Sequence, residues 1–165
     1  MAAEVARLGL FIHSVAIRPS NVEKSLWFYK TVLGLQETMH VKEDSFEIWL
    51  LGYPVVNGSQ RERTTIELIN SAVEPVAAHK FPPRPGFLKL ALGVRDMSAF
   101  VAHIRQFDVR IVKDVDATAG LDEVGSLIGL ETQTQGRNET FLEMVKSVVF
   151  IQDPDGNYIE LVPEP

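Results

Sequence analysis

The feature that most constrains this chain is an internal repeat. Residues 10–18 (LFIHSVAIR) are rich in β-formers, and an S-x-x-E capping box follows at Ser20 and Glu23. Val22, Leu26, Tyr29 and Val32 then recur at helical spacing, and Gly34 stands where a left-handed C-cap is expected. Strand-like pieces follow at 36–41, 46–51 and 64–69 (TTIELI), with Pro54, Asn57 and Gly58 marking a loop before the last. Residues 87–94 (FLKLALGV) open the pattern again. Asp96 is the second N-cap, Phe100, Val101, Ile104 and Phe107 make the apolar stripe of a second helix, and strands are expected at about 109–113, 147–152 and 158–162. Asp153-Pro154-Asp155-Gly156 is a turn that should fold the last two strands into a hairpin. The chain is thus predicted to be α+β, built from two βαβββ modules.

Subtraction sets the register. His13 lies seven residues before Ser20, and Lys89 lies seven before Asp96, which makes them equivalent. Glu67 and Glu160 are equivalent at the far ends, but more widely separated, so the second module must carry extra chain. The modules then fall at about 8–71 and 87–163 of a single domain spanning 1–165. A proline-rich linker covers 72–86, with HKFPPRPG at its end, and an insertion covers about 115–145. Gly120, Gly125, Gly129 and Gly136 make the insertion read as a loop or flap.

Composition removes whole classes of function. With 165 residues, 45% of them hydrophobic and 23% charged, the chain is long and apolar enough to bury a core as one domain. A net charge of −6 argues against a nucleic-acid partner. No cysteine is present, so disulfides, thiolate metal sites and cysteine nucleophiles are excluded, and any metal must be held by His, Asp, Glu, amide or water oxygen. The longest apolar stretch, around Leu8–Ile12, is far short of a membrane span, and Glu4 with only Arg7 before it makes a poor signal peptide. The expectation is a cytoplasmic protein without a membrane partner. No phosphate-cradling glycine loop, nucleophile elbow or basic aromatic patch is found, so no nucleotide cofactor is expected.

Four polar residues stand in strands. Thr65, Glu67 and Ile69 share one face, as do Tyr158, Glu160 and Val162; His13 goes with Phe11 and Val15, and Lys89 with Ala91 and Gly93. A carboxylate among apolar neighbours is costly unless paired or metal-bound. Taken singly, each has an ordinary reading: a glutamate on a solvated face, a hydrogen-bonded histidine, a snorkelling lysine. What sets them apart is coincidence of place, because first and last strands of both modules carry one. If the modules pair face to face, all four converge on one cleft.

HSVAIRPSNVEKSLWFYKTVLGL at the start and VVFIQDPDGNYIELV at the end resemble the vicinal oxygen chelate superfamily, and within it most of all glyoxalase I; IWLLGYP, TTIELI and RPGFLKLALGV resemble it too. The F-Y-x-x-x-L-G-L and D-P-D-G-N-x-I-E-L pieces are specific for the fold and much less so for the reaction. The resemblance implies paired βαβββ modules curling into an open mixed sheet, a homodimer, and a divalent metal (Zn, Ni, Fe, Mn or Co) held by first- and last-strand residues. Carried over, the ligands fall on His13, Glu67 and Glu160, with Glu160 doubling as the proton-moving base. The remaining position, normally histidine, falls on Lys89. An ammonium has no lone pair and cannot ligate a metal. Lys89 therefore replaces the metal in an ion pair with Glu160 or Glu67, or points aside while the other three bind the metal, or acts as a neutral base or amine nucleophile.

The arginines that contact glutathione in such enzymes are matched only approximately by Arg18 and Arg84, and Tyr158 is a further candidate substrate contact on the Glu160 face. His40 reads as a strand residue at the surface, His103 as a solvent-facing helix residue, and His79 as part of the linker. The expected function is proton transfer next to a carbonyl of a small oxygenated molecule, as a lyase or isomerase, with Glu160 and Lys89 catalytic. The alternative is a non-catalytic small-molecule binding or resistance protein; a dioxygenase stands behind both.

Overall fold

A short parallel strand pairing fixes each half of the fold. In the computed structural model, which describes residues 12–53, 64–71, 87–127 and 139–164, the chain divides into two units, 1–77 and 78–165. The first contains β1 (Ser14–Ile17), α1 (Val22–Trp27), β2 (Gln36–Lys42), β3 (Phe46–Gly52) and β4 (Thr65–Ser71). Its sheet has the order β1-β4-β3-β2, with β1 parallel to β4 and the other neighbours antiparallel. Ile66 and Leu68 are buried while Thr65, Glu67 and Ile69 are half-buried, the alternation expected of a strand with one face on the core.

Helix α1 starts one residue later than the capping box suggests. Asn21, not Ser20, is the cap: its backbone is extended, and its Oδ1 accepts from Lys24 N at 3.0 Å. Asparagine caps as well as serine does, so local chemistry left both open. The helix runs on into a π-helical turn, Phe28–Val32, in which Leu33 N donates to Phe28 O at 3.0 Å. This turn keeps Phe28, Tyr29 and Val32 buried together. Gly34, at φ +74°, then turns the chain into β2.

The second unit repeats the plan: β5 (Lys89–Val94), α2 (Met97–Ile104), β6 (Ile111–Lys113), β7 (Val149–Gln152) and β8 (Tyr158–Pro163), in the order β5-β8-β7-β6. Asp96 caps α2, accepting from Ala99 N at 2.9 Å. Phe107 lies beyond the helix, where its ring and that of Phe100 flank a half-buried His103. The predicted turn forms as expected: Asp153 accepts from the backbone of Asp155 and Asn157 at 3.0 and 2.8 Å.

Among the described residues the insertion between β6 and β7 is largely helical, where the sequence reads as a loop or flap. It contains α3 (Leu121–Leu127) and α4 (Glu139–Lys146). Leu121, Val124 and Val145 join Val112, Val148 and Phe150 in a buried cluster, against which Leu127, Leu142, Tyr158 and Val162 pack. Because Tyr158 and Val162 share the Glu160 side of β8, the inserted helices cover that face. The other face, with Ile159, Leu161, Val149 and Ile151, is also buried, and α2 packs against β8. Gly120 is what lets the chain return so tightly, since a Cβ there would meet the Val112 carbonyl oxygen at 1.8 Å and φ is +84°. Gly120, which reads as flexibility, therefore marks a close approach.

Candidate functional site

Register decides which side chains share a face. In the first unit Ser14 pairs with Thr65 and Ala16 with Glu67. Residues paired across a sheet point the same way, so Ser14, not His13, shares the Glu67 face. Ser14 Oγ donates to Glu67 Oε2 at 3.2 Å. His13 precedes β1 and is exposed, and its carbonyl accepts from Thr65 N at 2.9 Å. Apolar residues flank Glu67 on this face: Leu50 pairs with Glu67, Ile48 with Ile69, and Met39 with Leu50.

The second unit has the same construction. Lys89 pairs with Tyr158 and Ala91 with Glu160, which makes Lys89 the counterpart of Ser14 and Glu160 that of Glu67. Lys89 Nζ donates to Glu160 Oε2 in an ion pair whose side chains are 26% and 17% exposed. A half-buried carboxylate is tolerable here because the ammonium one residue pair away neutralises it. Each sheet thus carries one cross-strand pair at the same place: hydroxyl and carboxylate in the first, ammonium and carboxylate in the second.

These donors do not suit a divalent metal. Among the described residues no three His, Asp or Glu side chains are grouped to hold one. Lys89 offers three N–H donors and no lone pair, and Ser14 puts a neutral hydroxyl where the spacing from Ser20 suggested an imidazole.

Tyr158, also on this face, is already engaged. Its hydroxyl donates to Glu123 Oε1 on α3 at 2.7 Å, and burial together with that bond pushes the phenol up to about 12. Arg18 is exposed just after β1, at the alternation of Ser14 and Ala16. Arg84 and His79 lie outside the described residues. His40, at the surface as expected, stacks on Trp49 at 4.8 Å and contacts Glu47 at 3.0 Å.

Sequence reasoning missed Ser14, Glu123, Arg110 and Lys113. A signal existed for Ser14: counted back seven residues from the true cap, Asn21, the register lands on it, as it lands on Lys89 from Asp96. No local signal marked the others, whose partners are tertiary.

A family model described as the Glyoxalase/Bleomycin resistance protein/Dioxygenase superfamily matches residues 11–161. The chain belongs to that superfamily. A probable lactoylglutathione lyase from Synechocystis sp. is 25% identical over 155 residues, covering 93% of this chain and 95% of that protein. Among solved structures, the trypanothione-dependent glyoxalase I of Leishmania major matches with a TM-score of 0.58 and 23% identity, over 94% of this chain and 87% of its own. TnmS3, an antibiotic binding protein from Streptomyces sp. CB03234, matches with a TM-score of 0.54 and 18% identity, over 94% and 97%. At such identities the structural likenesses establish the α+β fold and leave the chemistry to the residues. Among the described residues no helix is long and apolar enough to cross a membrane.

Proposed function

We propose that this chain is a glyoxalase I-like enzyme that moves a proton next to the carbonyl of a small oxygenated molecule, with Glu160 as base and the Lys89 ammonium in place of a metal cation. The observation that carries the reading is the half-buried Lys89–Glu160 pair on the strand face that also bears Tyr158. Lys89 spends one of its three N–H groups on Glu160 and keeps the others for an oxygen of the substrate. The Glu160 carboxylate takes the proton from the carbon beside the carbonyl, the electron pair moves onto the carbonyl oxygen, and the ammonium stabilises the resulting oxyanion. Return of the proton to carbon completes exchange or isomerisation. In this reading Arg18, Arg84 and Tyr158 are substrate contacts, and the protein is a cytoplasmic homodimer.

The test is deuterium wash-in. In D2O the protein should exchange the carbon-bound protons of hydroxyacetone, followed by proton NMR, and Glu160→Gln should lower the rate by about 10²–10⁴-fold, the usual weight of a positioned base. Exchange at the wild-type rate in that variant, with its fold intact by circular dichroism, refutes the assignment. The likeness to TnmS3 supports a second reading, a binding protein in which the Lys89–Glu160 pair is structural. It predicts ligand binding with no wash-in at all.

A further inference from the structure

The two carboxylate faces are built alike and covered differently. In the first unit, Met39 and Phe46 on the Glu67 side remain 53% and 38% exposed. In the second, Phe150, which pairs with Glu160, is 2% exposed beneath the cluster made by α3 and α4. The cover is fastened by a closed ring of polar contacts. Tyr158 donates to Glu123 Oε1 at 2.7 Å, Arg110 Nη2 donates to Glu123 Oε2 at 2.7 Å, Arg110 Nη1 donates to Gln152 Oε1 at 2.6 Å, and Gln152 pairs with Tyr158 across the β7–β8 ladder. Glu123 is the only member of the ring on an inserted helix, and both of its oxygens are used. Thr65, the first-unit counterpart of Tyr158, carries no phenol to reach such a helix.

We propose that Glu123 is a positioning residue that sets which molecules reach the Lys89–Glu160 pair: by gripping Tyr158 and Arg110 together it holds α3 over the face, so that small ketones fit beside the pair and aryl ketones do not. This rests on the proposed reading of that pair as the reacting centre. The ring spans strand and helix with one carboxylate, so loss of the phenolic bond loosens α3 while leaving the Arg110 tie and the packing of the Tyr158 ring in place. The insertion thereby acts through a named contact rather than through general bulk.

The experiment uses the full chain and two probes, hydroxyacetone and 2-hydroxyacetophenone, with binding read by calorimetry and α3 opening by amide hydrogen exchange of 121–127. Tyr158→Phe should speed that exchange and shift binding toward 2-hydroxyacetophenone, relative to hydroxyacetone, by about fivefold, the weight of one hydrogen bond. Glu123→Ala should do the same, and Glu123→Gln, which keeps one acceptor oxygen for the phenol but turns an NH2 toward Arg110, should shift the ratio less than Glu123→Ala does. An unchanged binding ratio while α3 exchange rises would mean that the ring is structural only and overturns the proposal, as does unchanged exchange in Tyr158→Phe or failure of every form to bind either probe. None of these readouts needs turnover. A missing wash-in alongside a shifted ratio would strike the proton-transfer reading alone.

Discussion

Lys113 offers the sharpest test of how the inserted helices are held. Its side chain is 1% exposed, and its ammonium donates to the carbonyls of Val145, Lys146 at 3.1 Å and Val148 at 2.9 Å, closing the C-terminal end of α4. Three donors meet three acceptors, and the negative end of a helix receives a cation. Burial pushes the ammonium pKa below its ordinary value, while Asp116 and Asp114 hold it up, so the gain is partly offset by desolvation. Lys113→Met keeps the length and removes every donor. Hydrogen bonds to a charged group contribute about 1.5–3 kcal/mol each, about 4.5–9 kcal/mol for the three, against several kcal/mol recovered by no longer burying the charge. A net loss of about 3 kcal/mol remains. For a chain of this size that lowers Tm by about 6–12 °C. Calorimetry checks the total, and faster amide exchange over 139–146 checks its place. A variant that melts at or above the wild-type temperature with α4 equally protected would show that hydrophobic packing alone fastens the insertion.

Two further outcomes follow from single groups. Ser25 is 1% exposed and, among the described residues, its Oγ is a buried side-chain atom with no partner, so Ser25→Ala should stabilise by about 1 kcal/mol and raise Tm by about 2–4 °C; a fall in Tm would mean that the hydroxyl is satisfied. Tyr158, raised from 10.0 to about 12, should remain protonated when an ordinary tyrosine has ionised. Because the folded value is the higher, its contribution to stability is complete below pH 10 and is lost as pH rises from 10 to 12. Tyr158 is half-buried and not fully desolvated, so the loss is discounted to about 1 kcal/mol. Difference absorbance near 295 nm should show Tyr158→Phe removing a late-titrating phenol, and Glu123→Gln should bring that phenol down.

The repeat was legible because each of its signals is local. Asp96 caps α2 and Asp153 organises the last turn through neighbours no more than four residues away. The alternation that puts Glu67 and Glu160 among half-buried positions is likewise written in adjacent residues. Where two local signals compete, the reading slipped by one: Ser20 and Asn21 are both good caps, and choosing the wrong one moves the counterpart of Lys89 from Ser14 to His13. In a strand a one-residue slip reverses the face, so a small error in helix start becomes the difference between an imidazole and a hydroxyl beside Glu67. The insertion failed to read as helix for another reason. Gly120 and Gly125 lower helix propensity, while the compensation comes from Val112, Phe150 and the Lys113 ammonium, none of them local to α3.

The two sheets share one register and differ in what stands beside the carboxylate. The same register places a carboxylate at Glu67 and at Glu160, so the fold by itself accounts for neither partner. A serine beside Glu67 adds a neutral donor and leaves the carboxylate with its charge; a lysine beside Glu160 supplies a full positive charge at a half-buried depth. If both pairs were only structural, the inserted helices would have no reason to be tied to one face through Tyr158, since hydrophobic cover alone would bury Phe150. The polar ring is placed beside the charged pair, where position matters to within a hydrogen bond, and the apolar cluster does the burying. Glu160→Gln and Glu67→Gln should therefore be unequal: the first stopping deuterium wash-in by way of lost basicity, the second leaving a chain that still exchanges, and equal loss in both would mean that Lys89 does not single out its carboxylate.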